Sequence, residues 1–376
     1  MHLLTLIGKI DLNARVSIAP GTYVGDDINC AQLMSIAGEG RMTPWDNPKP
    51  FDETKDWNGK SILLVRAGGY GDLVLMTPIS REIKRRWPQA KVDVSCMQDY
   101  AQVLEHLPTV DRAVHYPVPV AEIDHHDAII VFENAVEKNP RAHKIHMTDL
   151  FAEIAGLTAK EGTAGNGGHP ALDVKKPDYV VTPNEAIWLT MQFPRQPGKR
   201  RLCLQGGTSA LCRIYPSEQY DFIVKDLLLK GWEVFLMGAK HEINGVPDVP
   251  GLVNLTAFGA TFRQSCAVIN SADAFLGGDS ALLHVAGALG IPAVGLYGPF
   301  LASLRTAYCP TTFAFQGKGP CAPCFHHPNA TRKNHFPADC PSRASKKCGV
   351  LADIKPKPII QKIEQIAKKP ALELVS

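Results

Sequence analysis

The chain has 376 residues, 45% of them hydrophobic, a length that suits about two or three domains with sizeable cores. Net charge is only +3, from 40 Lys and Arg against 37 Asp and Glu, which disfavours bulk nucleic-acid binding. No segment approaches the about 18 consecutive apolar residues of a spanning helix, so no integral membrane association is expected.

The start, MHLLTLIGKIDLNARV, is broken by Lys9 and Asp11 and lacks a basic leader and a convincing cleavage site, so the chain reads as cytoplasmic. Residues 1–57 read as an N-terminal extension. Short β-like pieces at Leu3–Ile10 and Arg15–Ile18 give way to the proline-rich Thr43–Pro50, either a linker or a packed extended arm. Residues 58–175 open with a buried-strand run, Ser61–Arg66, followed by AGGYGD and the helical pattern Leu73–Trp87, which Pro88 stops. Gly68, Gly69 and Gly71 let the backbone approach a ligand, and Asp72 sits at the handover as a helix cap or a proton acceptor. The glycines do not form G-x-G-x-x-G and no Gly-Lys-Ser/Thr follows, so a dinucleotide fingerprint or a P-loop is poorly supported. Strand candidates Lys91–Ser95, Ala113–Tyr116 and Asp127–Phe132 then alternate with helical candidates Tyr100–His106 and Met147–Ala155, which implies a parallel sheet. The glycine-rich run 162–168 reads as a flexible loop.

A second alternating series, residues 176–358, begins at the strand Arg201–Gln205. The following GGTSALCRIYP places Thr208, Ser209 and Arg213 in an anion-handling loop, where a fixed guanidinium can hold a diphosphate through two parallel hydrogen bonds; the alternative is an exposed surface arginine. Glu242, after the strand Glu233–Leu236, is placed to accept from ribose hydroxyls or simply to start a helix. Residues 274–299, AFLGGDSALLHVAGALGIPAVGLYGP, read as strand, helix and strand. Asp279 and Ser280 are candidate caps, Gly290 and Pro292 end the helix, and Ala293–Tyr297 is the next strand. Such a helix start offers unpaired N–H groups and partial positive charge to a phosphate or a polyhydroxylated ligand, with His284 one turn inside; alternatively, the polar pair only caps and His284 is a core histidine.

Four cysteines spaced Cys321-x2-Cys324-x15-Cys340-x7-Cys348 lie in a loop, residues 319–349, that is poor in apolar side chains. A stretch of about 30 residues without a core needs a staple, and tetrahedral thiolate coordination of zinc, or of iron, supplies one in a reducing compartment. His326, His327 and His335 are substitute ligands, and four unligated cysteines are the plain alternative. With all four positions filled by protein the metal would be structural. Residues 359–376 read as a C-terminal helix.

The segments LLVRAGGYGDLVLMTPISREIKRRWPQAKVDV and GGDSALLHVAGALGIPAVGLYGP resemble, in that order, the two signatures of the ADP-heptose heptosyltransferase family, glycosyltransferase family 9. The similarity runs from Lys60 to Pro358 through RAHKIHMTDLFAEIAGL, GGTSALCRIYPSEQY and FLMGAKHE. It implies the α/β fold called GT-B, with two doubly wound Rossmann-like domains facing across a cleft, to which this chain adds the extension and the cysteine loop. It also implies inverting transfer of a sugar, heptose, from a nucleotide diphosphate donor such as ADP-heptose, with no catalytic divalent metal. Asp72 would be the general base, and Arg213, Thr208 and the helix starting near Ser280 would stabilise the leaving diphosphate. Gly71, Thr208, Ser209, Arg213, Glu242, Asp279, Ser280, Ala281 and His284 would bind the donor. The family usually has Gly where Ala281 stands, carries a basic residue before an aromatic-Pro pair, here Tyr215-Pro216, and includes members with a similar cysteine segment. The implied acceptor is a lipopolysaccharide core sugar, a lipid-linked glycan or a protein side chain, with Glu133, Asn134, Arg141, His143 and Lys144 as candidate contacts. A homo-oligomer and a peripheral place at the inner membrane are compatible with it. The alternatives are a non-catalytic binding module of the same fold, an epimerase or hydrolase acting on the donor, or a glycosyltransferase with another nucleotide sugar acting on modified nucleic acid.

Overall fold

A computed structural model describes the chain except for residues 8–9, 14–15, 38–39, 138, 158–171, 240–248, 326–339, 346 and 368–376. The expected glycine-rich loop at 162–168 lies outside the described residues. The chain divides into two compact units, Met1–Asn139 with Met147–Lys175, and Pro140–His146 with Lys176–Ser376.

The first unit opens with β1 (His2–Leu6), β2 (Ile10–Asn13), β3 (Val16–Ile18), β4 (Gly21–Gly25), α1 (Asp27–Ala37) and β5 (Gly40–Pro44). The expected single piece Leu3–Ile10 is therefore two strands. β1 pairs antiparallel with β4 and β5, setting Leu4 opposite both Tyr23 and Met42, while β2 and β3 form a separate hairpin. The expectations above did not include α1. Its start is fixed by the Asp26 carboxylate accepting the Asn29 N–H at 3.1 Å, and Cys30 and Leu33, three residues apart, bury one face.

The proline-rich stretch is a packed arm. Asn47 donates to the Ile129 carbonyl at 2.8 Å, the Ile129 N–H donates to the Lys49 carbonyl at 2.8 Å, and the Lys49 ammonium reaches the carbonyls of Ile123, Asp124 and His126. Beyond it run β6 (Ser61–Val65), α2 (Tyr70–Arg86), β7 (Lys91–Cys96), β8 (Arg112–His115), β9 (Val118–Pro119), α3 (Val120–His125), β10 (Ala128–Val131) and α4 (Met147–Ile154). β10, β6, β7 and β8 form a parallel sheet in that order. Ile62, Leu63 and Leu64 on β6 are fully buried, as a strand covered on both faces requires. Helix α2 starts three residues before the expected Leu73, so Asp72 stands inside its first turn. The expected helix Tyr100–His106 is a 3-10 turn at Gln98–Val103 with Val103 buried, too short an apolar face for an α-helix. β9 pairs with β4, which joins the extension to the rest of this unit.

The second unit carries α5 (Pro183–Gln192), β11 (Arg201–Gln205), α6 (Ser217–Leu229), β12 (Glu233–Met237), β13 (Leu252–Asn254), α7 (Leu255–Phe258), α8 (Phe262–Asn270) and β14 (Ala274–Gly278). Then come α9 (Ala281–Ala288), β15 (Ala293–Tyr297), α10 (Ala302–Arg305), β16 (Thr312–Gln316), α11 (Gly349–Ala352) and α12 (Pro356–Ile366). All six strands are parallel in the order β13-β12-β11-β14-β15-β16. The chain builds outward from β11 in one direction and from β14 in the other, so a crevice is expected where these two strands meet. Ile359, Ile360 and Ile363 of α12 share a core with Leu204, Leu227, Leu276 and Leu296. Within this unit the segment Pro140–His146 brings His146 against the Tyr308 ring and His143 against Phe325.

At the N-terminal edge of the first parallel sheet, buried His126 places Nε2 3.1 Å from the Asp93 carboxylate and Nδ1 2.6 Å from the Glu122 carbonyl oxygen. Burial opposes the imidazolium, yet the Asp93 and Glu122 contacts prevail and hold the ring's pKa above its ordinary value. A raised folded-state pKa gives stability that is present below about pH 6.5 and lost as pH rises through the folded value. His126→Gln should therefore destabilise more at about pH 5.5 than at about pH 8.5 in denaturant titrations. Equal losses at the two pH values would mean that the ring is neutral throughout.

Candidate functional site

In the second unit the C-terminal edge of the sheet, where a crevice is expected, is built by the residues that end β11 and β14. Gly277 and Gly278 close β14, and a side chain at Gly278 would come within 2.9 Å of the Arg213 carbonyl, so glycine lets the Arg213 loop lie against the strand. Thr208 folds that loop on itself: its hydroxyl donates to the Ala210 carbonyl at 2.9 Å and accepts the Ala210 N–H at 3.3 Å. The Arg213 guanidinium donates to the Asp279 carbonyl at 2.9 Å and reaches the Ser209 hydroxyl at 3.4 Å, while its Nε is buried without a hydrogen-bond partner. The expectation that Asp279 and Ser280 cap α9 through their side chains is corrected. Ser280 is the N-cap by position, but its hydroxyl donates to the Gln205 side chain, which leaves the first N–H groups of α9 without that cap.

The Asp279 carboxylate turns to basic side chains instead. It is 5% exposed, with Arg305 Nε at 3.7 Å and His284 Nε2 at 3.6 Å. Burial alone would raise its pKa, but Arg305, His284 and Arg213 together hold it far below the usual carboxylate range. Thr208, Ser209, Arg213, Asp279, Ser280 and His284 are thus brought together, with Ala281 as the first residue of α9. Glu242 lies outside the described residues.

In the first unit the handover from β6 to α2 carries Gly71 and Asp72. The Asp72 carboxylate accepts the Gly69 N–H at 3.2 Å and an Arg66 guanidinium N–H at 2.8 Å. Arg66 is 2% exposed and sits just past the C-terminal end of β6. It also donates to both oxygens of Glu137, at 2.7 and 3.2 Å, and to the Phe132 carbonyl at 3.2 Å, with Glu133 at 4.0 Å. Glu133 accepts the Ala67 N–H. Burial pushes the Glu133 carboxyl up to about 7, Arg66 and the Ala67 N–H oppose this, and Asp26 and Glu137 add to it. Of the candidate acceptor contacts, Glu133 and Asn134 lie in this unit and Arg141, His143 and Lys144 in the other.

All ten cysteines are thiols outside disulfides. Cys340 and Cys348 pack against Ala210 and Cys212, next to Arg213, and burial raises the Cys348 pKa with Cys324 and Cys321 near enough to add to the rise. Among the described residues no group of three or more His, Cys, Asp or Glu is arranged to hold a metal ion. His326, His327 and His335 lie outside the described residues.

Residues 148–335, half of the chain, match the family model for glycosyltransferase family 9 (heptosyltransferase). The chain belongs to this family. As a family 9 protein it is a glycosyltransferase. It is 22% identical over 288 residues to lipopolysaccharide heptosyltransferase 2 of Salmonella typhimurium, covering 63% of this chain and 82% of that protein. Among solved structures, ADP-heptose lipopolysaccharide heptosyltransferase II of E. coli shares the fold at 18% identity and a TM-score of 0.60, over 81% of this chain and 98% of that one. The iron-containing dodecameric glycosyltransferase TibC of enterotoxigenic E. coli shares it at 12% identity and a TM-score of 0.58, over 97% of this chain and 91% of that one.

For this family 9 glycosyltransferase the expectations missed Arg305, whose Nε lies 3.7 Å from the Asp279 carboxylate, because it stands on a four-residue helix in a segment without any motif. Breaking a buried ion pair from one side costs about 3–5 kcal/mol. Arg305→Met should therefore lower the unfolding free energy at pH 7 by about that amount. A depressed carboxylate contributes stability above its ordinary pKa and loses it as pH falls, so the deficit should shrink toward about pH 3. A deficit independent of pH would assign the loss to packing against Phe300, over which Arg305 also lies.

Proposed function

We propose that this family 9 glycosyltransferase transfers heptose from ADP-heptose, with inversion, to an acceptor hydroxyl. The observation that carries the reading is the cluster at the ends of β11 and β14, where Arg213, the Thr208 loop and the open start of α9 offer donors to a diphosphate beside an ionised Asp279. ADP chemistry is supported by the fold relatives: E. coli heptosyltransferase WaaC with ADP shares the fold at 16% identity and a TM-score of 0.54.

In this reaction Asp72 takes the proton of the acceptor hydroxyl as its oxygen bonds to the anomeric carbon. The bond from that carbon to the diphosphate breaks on the opposite face, and ADP leaves with the electron pair. Arg213, Thr208 and the first N–H groups of α9 stabilise the charge that develops on the departing diphosphate. Asp279 and His284 bind donor hydroxyls, with Ser209, Ser280, Ala281, Gly71 and Glu242 completing the donor contacts. The acceptor is a lipopolysaccharide core sugar, a reading supported by relatives named lipopolysaccharide heptosyltransferase 2, or a protein side chain. Cytoplasmic action, peripheral to the inner membrane, fits a water-borne donor and such acceptors.

The test compares ADP-heptose with GDP-, UDP- and CDP-sugars by thermal shift, since a ligand bound only by the folded state raises its melting temperature. ADP-heptose should give the largest shift. Asp72→Asn should lower turnover at least ~100-fold with little change in donor affinity, and Arg213→Ala should weaken ADP binding in calorimetry. Wild-type turnover in the first variant removes Asp72 from the chemistry, and equal affinity in the second removes Arg213 from the diphosphate.

Cys321, Cys324, Cys340 and Cys348 are proposed to hold one structural metal, zinc or iron. The soft thiolate set fits such an ion in kind, and Cys340 and Cys348 pack against one cluster. Bound there, the ion would staple the loop. Elemental analysis should find about one zinc or iron per chain, lost in Cys340→Ser. Purified protein without either metal would overturn this.

A further inference from the structure

We propose that Arg66 is a positioning residue for the Asp72 carboxylate, held on its far side by Glu137 and Glu133. The proposal rests on the reading of Asp72 as the group that takes the acceptor proton.

Arg66 stands where chemistry is placed in a parallel sheet, at the C-terminal end of β6, and its guanidinium is almost fully buried. Three carboxylates of the same unit surround this one cation: Asp72 at 2.8 Å, Glu137 at 2.7 Å and Glu133 at 4.0 Å. A pairing that served stability alone would match one buried charge with one partner, because a further buried carboxylate, here Glu133 beside the partly exposed Asp72 and Glu137, adds desolvation and repulsion. Here the surplus negative charge is retained. Glu133, whose proton affinity burial raises, feels it as a smaller addition from Glu137.

The geometry of the fork is specific. The nitrogen that donates to Asp72 at 2.8 Å also donates to Glu137 at 2.7 Å, and the second terminal nitrogen bonds the other Glu137 oxygen and the Phe132 carbonyl. A planar guanidinium so pinned cannot rotate without breaking several bonds, so it delivers one N–H to Asp72 at a fixed place. The loop between them is shaped for this contact. Gly68 has φ +25°, and a Cβ there would lie 2.8 Å from the Asp72 carboxylate and 2.9 Å from Arg66 Nε. Glu133 ties the Ala67 N–H of the same loop, while Asp26 and Tyr116 bear on Glu133 from the extension side. A carboxylate that is to take a proton from a bound hydroxyl must be held within a fraction of an ångström, and a misplacement of about 1 Å can cost 100-fold.

The test is steady-state kinetics with ADP-heptose on Arg66→Met, Arg66→Lys, Glu137→Gln and Asp72→Asn, with turnover followed against pH. Arg66→Met should lower kcat about 10- to 100-fold with KM within about twofold of wild type. Its acidic limb should move to higher pH, because removing a cation from beside a carboxylate makes that carboxylate easier to protonate. Arg66→Lys should restore part of kcat and return the limb toward wild type. Wild-type kcat and pH profile in Arg66→Met, with Asp72→Asn inactive, overturn the proposal and leave the base assignment standing. Wild-type kcat in Asp72→Asn overturns the base assignment itself. Should Arg66→Met not fold, Glu137→Gln carries the test, since Glu137 is the more exposed holder of the fork. A several-fold fall in kcat at unchanged KM supports the proposal, and an unchanged kcat overturns it.

Discussion

Parallel strands deliver all their C-terminal ends to one edge, and each hands over there to a loop and a helix whose first N–H groups lack partners. In the second unit the strand order reverses between β11 and β14, so neighbouring loops leave in opposite directions and open a gap at that edge. The polar residues of the site are those that this topology forces into proximity. Gln205 ends one strand, Gly278 ends the next, and Ser280 bridges to Gln205 across them. Placing the Arg213 carbonyl against Gly278 then aims the guanidinium at the start of α9.

Charge burial at both edges follows the same logic with opposite signs. In the second unit one carboxylate, Asp279, is surrounded by Arg305, His284 and Arg213, so the locality carries surplus positive charge beside an open helix start. That is the arrangement expected for holding a diphosphate. In the first unit one cation, Arg66, is surrounded by three carboxylates, so the locality carries surplus negative charge. That arrangement suits the acceptance of a proton. Each imbalance costs stability, because a buried ion pair barely repays its own desolvation and a surplus charge repays less.

The handovers were legible in the sequence because they are local. Ser61–Val65, Arg201–Gln205 and Ala293–Tyr297 are short apolar runs bounded by glycine or proline, and the residues that follow are polar for a reason that spacing exposes. The partners of those residues were not legible. Arg305 follows Asp279 by helix α9, strand β15 and a loop, and Glu137 follows Asp72 by most of a sheet, so no periodicity links them. Arg66 was visible as the end of a strand, yet nothing in an isolated run tells whether a terminal arginine faces water or three carboxylates. Ser280 misled for a related reason: Ser before an apolar run is the usual cap, and only the neighbouring strand end reveals a better acceptor in Gln205.

The extension was the least legible part, and its placement shows why it belongs with the first unit. Its strands are short and its helix has a narrow apolar face, so it has little core of its own beyond Leu4, Leu6, Ile18, Tyr23, Cys30 and Leu33. It is stabilised by pairing β4 with β9 and by Asp26, whose carboxylate accepts the buried Tyr116 hydroxyl at 2.7 Å. Tyr116 follows β8, hence it lies at the edge where β6 and β10 also end. Burial, Glu133 and Asp26, in that order, raise the Tyr116 pKa, and Asp26 in turn raises that of Glu133. The extension therefore contributes a carboxylate to the electrostatic field at the end of the sheet that carries Arg66 and Asp72. The same carboxylate starts α1 by accepting the Asn29 N–H, so one acid both orders the extension's helix and, through Glu133, bears on the edge that carries Asp72.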